Sequence, residues 1–268
     1  MDKMERDIVT VKLFTEKKTG ITIGMSSIIG TRSSQEDTIF GSVRGTEAIA
    51  VVCDGMGGLA GGEVASKAAA ESLVNAWFGR KEIGDIPGFL QEEAVRADEK
   101  VFLQENENGE RLRAGTTMVV AIIRENALYW LSVGDSKIYI IRGDEILSVC
   151  REHNYRLMLD QKLQKGELST EEYAAEEYRA EALISYLGMG NVSLMDINQQ
   201  PFLLEDNDIV LLSSDGLYRS LSEDMIRDIV KVNETDVQHA AEILTAAALA
   251  DKTSGQDNTS VVVLRYQI

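Results

Sequence analysis

The sequence predicts an α+β fold in which antiparallel sheets are covered by helices. Three observations predict it. Strand-like and helix-like segments come in blocks and do not alternate one by one. Four Val/Ile-rich runs follow one another between residues 116 and 149 with only short turns between them, the signature of an antiparallel meander. The helical stretches carry their own start signals, and no low-complexity linker or solenoid repeat divides the chain.

Residues 21–23, 48–53, 116–123, 127–133, 137–141, 145–149, 208–213 and 260–266 read as strands, bounded by Gly, Asp or Asn. Residues 63–78 read as a helix, because Val64/Ala65, Ala68/Ala69, Leu73 and Ala76/Trp77 recur at helical spacing. Ser220-x-x-Glu223 and Thr235-x-x-Gln238 read as capping boxes opening two later helices. The polar stretch 151–191 carries a further box at Ser169-x-x-Glu172 and reads as helices without a strand. It is expected to be a mobile flap inserted into a single domain over residues 1–268.

Composition narrows the function. The chain has 268 residues, with 27 Lys+Arg against 44 Asp+Glu, for a formal charge of −17. Such acidity argues against nucleic acid as a partner and is compatible with divalent cations, whose ligands are mostly carboxylates. Two Cys and two His cannot supply a four-ligand structural zinc site of the usual kind. Cys53 and Cys150 sit in apolar runs without a disulfide framework, which suits a reducing compartment. Residues 1–20 are charged and lack the apolar core of a secretory signal, and no apolar stretch approaches the ~20 residues that span a bilayer. A soluble, cytoplasmic protein that engages no membrane is expected.

The acids fall in a pattern. Apolar strands end in Asp54-Gly55 and in Ser214-Asp215-Gly216, a third ends in Gly134-Asp135-Ser136, and a fourth begins after Asp257-Asn258. Glu36 and Asp37 follow Arg32 at another turn. One Asp at a strand end is an ordinary turn residue. If five such ends meet, the carboxylates repel, and protons or metal ions must compensate. An oxygen-rich, His-poor set favours Mg²⁺ or Mn²⁺ over zinc.

Three other motifs fail on their chemistry. Gly55-x-Gly57-x-x-Ala60 has the form of a dinucleotide fingerprint, which would make the chain an oxidoreductase. Asp54 would then sit against the pyrophosphate, and no second strand with a terminal acid follows. Gly57-x-x-x-x-Gly62 has Glu63 where a phosphate loop requires Lys. Cys150-x5-Arg156 has the spacing of a cysteine phosphatase loop but lacks its glycines, and no His precedes the thiol. His239 is expected to be structural or solvated; His153, beside the 151–191 stretch, is expected to be structural, with contact to substrate as the alternative.

Taken in order, the motifs resemble those of the metal-dependent protein phosphatases of type 2C, in their bacterial form. The matching segments are Arg32-Ser-Ser-Gln-Glu36-Asp37, Asp54-Gly-Met-Gly-Gly58 with Gly62-Glu63, and Gly115-Thr116-Thr117. Val133-Gly134-Asp135-Ser136, Ser214-Asp215-Gly216-Leu217 and Asp257-Asn258-Thr259 complete the set. The resemblance implies a four-layer α/β/β/α sandwich of two antiparallel sheets flanked by helices. It implies two Mn²⁺ or Mg²⁺ ions, with Asp54 bridging them, the Gly55 carbonyl on the second, and Asp215 and Asp257 on the first. Asp135 with Asp215 would bind a weaker third ion. Glu36 and Asp37 would orient metal-bound waters, Asn258 would support the site, and Arg32 would bind the substrate phosphate. The implied reaction is hydrolysis of phosphoserine and phosphothreonine by direct attack of a hydroxide bridging the ions, on phosphoproteins made by a bacterial Ser/Thr kinase.

The chain departs from the family pattern in three places. Gln35 stands where many relatives have Asn, and Met56 where some eukaryotic members have a His proposed to protonate the leaving group. Residues 182–188, Ala-Leu-Ile-Ser-Tyr-Leu-Gly, replace a Leu-Thr-Arg-Ala-Leu-Gly segment. A pseudophosphatase serving as a regulatory binding module is the competing expectation, and the presence of Asp54, Asp215 and Asp257 counts against it.

Overall fold

The computed structural model describes residues 20–57, 61–79, 83–250 and 255–268. Strands β1 (Ile21–Ile28), β2 (Asp37–Arg44) and β3 (Glu47–Gly57) precede helices α1 (Gly61–Gly79) and α2 (Ile86–Phe102). Strands β4 (Ala114–Thr116), β5 (Met118–Arg124), β6 (Ala127–Val133), β7 (Lys137–Arg142) and β8 (Glu145–Ser148) follow. Next come α3 (Tyr155–Gln164), α4 (Thr170–Glu176), a 3-10 turn over Glu177–Arg179, and two short strands, β9 (Asp196–Ile197) and β10 (Phe202–Leu203). The remaining elements are β11 (Ile209–Ser213), α5 (Asp215–Tyr218), α6 (Glu223–Val232), α7 (Val237–Ala250) and β12 (Thr259–Tyr266).

The strands form two antiparallel sheets. One runs β1-β12-β11-β7-β8; the other runs β10-β6-β5-β3-β2, with β4 added to β3 and β9 to β6. Period-two alternation divides the apolar residues of each central strand between two cores. In β3, Ile49, Val51 and Cys53 face α1 and α2, while Ala48, Ala50 and Val52 face the other sheet. In β12, Val262 and Leu264 point into the space between the sheets, and Val261 and Val263 point at α7. Three stacked apolar layers therefore separate four layers of structure, α/β/β/α, as expected. Because both faces are covered, these antiparallel strands read as nearly continuous apolar runs.

The expected meander is corrected. β5 with β6 and β7 with β8 are hairpins, but β6 and β7 belong to different sheets. The link Gly134-Asp135-Ser136 is short enough to pass for a hairpin turn. It instead carries the chain across the sandwich, with Gly134 at φ 100°. The capping signals are corrected in detail as well. Ser222, not Ser220, caps α6 by accepting from the Met225 N–H, and Asp236, not Thr235, accepts from the His239 N–H at the start of α7. Gln238 instead pairs with the backbone of Met25 and ties α7 to β1. The box at Ser169 is present with both of its hydrogen bonds. Among the described residues no helix is long and apolar enough to cross a membrane. The residues read for a leader, 1–19, lie outside the described ones, as do Gly58 and Ala60.

Candidate functional site

The site lies where the ends of both sheets open on one cleft. The β2–β3 ladder sets Asp37 directly opposite Asp54. From the other sheet, β11 delivers Asp215 at the start of α5, and Asp257 precedes β12. Asp135 sits on the crossing between the sheets. Arg32, Glu36, Asp54, Gly55, Asp135, Asp215, Asp257 and Asn258 all line a cavity of about 770 Å³. Asp37 lies behind this wall, 5% exposed. Every residue singled out for the site is thus brought to one place.

Backbone contacts fix these acids before any ligand is considered. The Asp54 N–H donates to Thr117 Oγ1 (3.0 Å), while the Asp54 carbonyl accepts from the Thr117 N–H and from Thr116 Oγ1, each at 2.9 Å. Thr117 Oγ1 in turn meets Ser136 Oγ at 2.7 Å, which couples Asp54 to the Asp135 turn. That turn is pinned from below by buried His153, whose Nδ1 accepts from the Gly134 N–H and whose N–H donates to the Gly134 carbonyl. His153 therefore has a structural role, and His239 is exposed on α7.

Asn258 organises the arginine loop. Its Nδ2 donates to the carbonyls of Ile29 (2.9 Å) and Ser34 (3.0 Å), and its Oδ1 accepts from the Glu36 N–H (2.8 Å). Gly55 is required by close approach: a Cβ there would lie 2.2 Å from the Gly62 carbonyl oxygen and 2.4 Å from that of Glu36.

Electrostatics make the site hungry for cations. Burial, reinforced by Asp37 and Asp215, holds the Asp54 carboxyl well above the ordinary carboxylate range. Burial pushes Asp37 up to about 7, although hydrogen bonds from Ser260 and Ser214 oppose the shift. Asp135 is pushed up to about 6 by burial and by Asp215, and burial also raises Asp215. Two guanidiniums partly answer this charge. Arg32 Nη2 lies 2.5 Å from Asp257 Oδ2, and Arg219 Nε lies 2.8 Å from Asp215 Oδ2. As they stand, no three His, Cys, Asp or Glu side chains among the described residues form a closed metal cage. The donor set nonetheless fits a hard divalent ion: it is all oxygen, its carboxyls are destabilised by one another, and Asp37 Oδ1 is buried without a hydrogen-bond partner.

Arg219 and Glu181, which belong to none of the sequence motifs, also line the cavity. Arg219 had a signal, since it stands one helical turn after Asp215. Glu181 had none, because its approach depends on how residues 151–191 fold back. Cys150 and Arg156 form no cysteine phosphatase loop: burial raises the Cys150 thiol, its sulfur accepts from the Ile138 N–H, and Arg156 pairs with Glu181 and Glu177.

A family model described as Protein phosphatase 2C matches residues 24–251. The chain belongs to the protein phosphatase 2C family. Among its relatives, a serine/threonine phosphatase stp of Listeria innocua is 28% identical over 223 residues, covering 82% of this chain and 85% of the relative. The protein phosphatase PhpP of Streptococcus pneumoniae is 29% identical over 216 residues, covering 80% and 84%. The fold is shared with a serine/threonine phosphatase of S. agalactiae (TM-score 0.77, 24% identity, 92% of this chain and 100% of the other). It is also shared with the catalytic domain of the phosphatase PstP in complex with two manganese ions (TM-score 0.73, 24% identity, 92% and 99%). Asp257 and Asn258 lie beyond the residues that the family model matches, so their place at the site rests on geometry.

Proposed function

We propose that the chain is a metal-dependent serine/threonine protein phosphatase that hydrolyses phosphoserine and phosphothreonine in proteins, the products of a bacterial Ser/Thr kinase. The observation that carries this reading is the convergence of Asp54, Asp135, Asp215 and Asp257, from the ends of two different sheets, on one cleft beside Arg32. The names of the relatives support it, and so does the manganese-bound structure of one fold neighbour.

Asp54, the Gly55 carbonyl, Asp215 and Asp257 would hold two Mn²⁺ or Mg²⁺ ions. When bound, the ions would lower the pKa of water for in-line attack on phosphorus and neutralise the charge that develops there. The chain supplies the rest. Arg32, exposed at the rim, can swing its planar fork from Asp257 to the phosphate oxygens of an incoming substrate. Glu36 offers a carboxylate at the cleft wall, and Asp37 offers a buried acceptor behind it. Asn258 keeps Arg32 and Glu36 on one rigid loop. Residues 151–191 serve as a substrate-facing flap within one domain, since Glu181 and Leu183 reach the cleft. The free thiols of Cys53 and Cys150 suit a cytoplasmic setting.

The test is hydrolysis of p-nitrophenyl phosphate and of Ser/Thr phosphopeptides, with Mn²⁺, Mg²⁺, Ca²⁺ and chelator compared side by side. Activity with Mn²⁺ or Mg²⁺ that chelation abolishes is expected. Full turnover by metal-free protein would overturn the reading.

A further inference from the structure

Three carboxylates from separate parts of the chain meet on one guanidinium. Arg219 Nε lies 2.8 Å from Asp215 Oδ2, and its Nη2 lies 3.5 Å from Asp135 Oδ2 and 3.5 Å from Glu181 Oε2. Asp215 opens α5, Asp135 lies on the crossing between the sheets, and Glu181 follows the 3-10 turn of the 151–191 segment. The Asp135 and Asp215 side chains are 8% and 17% exposed, so water screens their repulsion poorly.

The turn that carries the arginine is itself held. The hydroxyl of Tyr218 donates to the Asp135 carbonyl (3.0 Å), and Lys137 Nζ sits 4.0 Å from the centre of the Tyr218 ring. A guanidinium keeps its charge at any pH the protein survives, and its fork can serve more than one carboxylate at once. A divalent ion placed between Asp135 and Asp215 would have to displace that fork and then tolerate its positive charge nearby.

We propose that Arg219 is a positioning residue that acts as a built-in cation between Asp135 and Asp215, so that the site takes two divalent ions and not a third. The inference rests on the metal-dependent reading above, and it replaces the third ion that the family resemblance implied. It also gives Glu181 a purpose, as the anchor that keeps the guanidinium over the two acids.

The experiment counts Mn²⁺ bound per chain, by calorimetric titration and by the electron paramagnetic resonance signal of free Mn²⁺. The chains compared are the wild type, Arg219→Ala, Arg219→Lys, and Arg219→Ala combined with Asp135→Asn. Two ions are expected for the wild type and for Arg219→Lys. Arg219→Ala should gain a weaker third, and the added Asp135→Asn should abolish that gain. Retention of the two tight ions shows that a variant is folded, and Arg219→Gln takes the place of Arg219→Ala if the latter does not fold. A wild type that binds three ions overturns the inference, as does a folded Arg219→Ala that still binds two. A raised KM for p-nitrophenyl phosphate with an unchanged ion count would make Arg219 a phosphate binder instead, and would also overturn it. A wild type that binds no Mn²⁺ would overturn the metal-dependent reading itself, a different failure.

Discussion

Asp54 faces Asp37 across a strand pair, with Asp215 and Asp135 close enough to raise its proton affinity. Such a cluster of buried, mutually repelling carboxyls costs the fold stability unless protons or cations compensate. Asp54→Ala should lower turnover by on the order of 10³-fold, about 4 kcal/mol of transition-state stabilisation. The metal-free variant should melt no lower than the wild type. Steady-state kinetics and thermal melts of the same preparations check both halves. Arg32→Ala should raise KM for phosphoesters by roughly 10-fold, the loss of about one charge-assisted contact. It should leave Mn²⁺ affinity equal or tighter, because Asp257 loses a competing partner; a titration beside the kinetics decides. Asp37 sets a pH dependence. Burial pushes its pKa up to about 7, above the roughly 3.9 of an unfolded aspartate, so the folded chain holds a proton that the unfolded chain releases. Metal-free stability should therefore fall as pH rises between those two values. Asp37→Asn should flatten that slope, as read from urea unfolding at a series of pH values.

At the scale of elements, the site depends on connections more than on the strands they join. Asn258→Ala would strip hydrogen bonds from Ile29, Ser34 and Glu36 at once, and should cost on the order of 1–3 kcal/mol, measurable by denaturant unfolding. The 151–191 segment should govern peptides. Tyr178 is 82% exposed, so Tyr178→Ala should alter rates on phosphopeptides and leave p-nitrophenyl phosphate unchanged. Arg179 lies over the Tyr155 ring and pairs with Glu176, so Arg179→Ala should also loosen the segment. Equal effects on both substrates would reduce the segment to a solvated excursion.

These elements also show what a sequence can and cannot disclose. The long central strands are legible as Val/Ile-rich runs bounded by turn residues, and α1 because its apolar residues recur at helical spacing. β2, interrupted by Gly41 and Ser42, and the two-residue β9 and β10 carry too little signal. The crossing at Gly134 looks like a hairpin because loop length alone does not say which sheet the next strand joins. The acids are legible because Asp54, Asp135 and Asp215 close apolar runs and Asp257 precedes one. Arg219 is legible only through its place one helical turn after Asp215, and Glu181 is not, since charged residues on helices and loops usually face solvent.

The whole molecule is a sandwich whose two sheets are tied at the site. Ser214, at the end of β11, donates through Oγ to Asp37 Oδ2 at 2.8 Å, which joins a strand of one sheet to a strand of the other. With a net charge of −17, the chain repels other anions in general, and on the proposed reading the local positive charge of the cleft comes from Arg32 and bound ions. The direct measurement is a Mn²⁺ titration of metal-free wild type and Asp54→Ala, with melting temperature and phosphate release from a phosphothreonine peptide read in the same samples. In the wild type, Mn²⁺ should raise the melting temperature and switch on phosphate release together, and in Asp54→Ala it should do neither. Phosphate release at full rate under chelator, or an Asp54→Ala variant that binds Mn²⁺ and turns over like the wild type, would contradict the account.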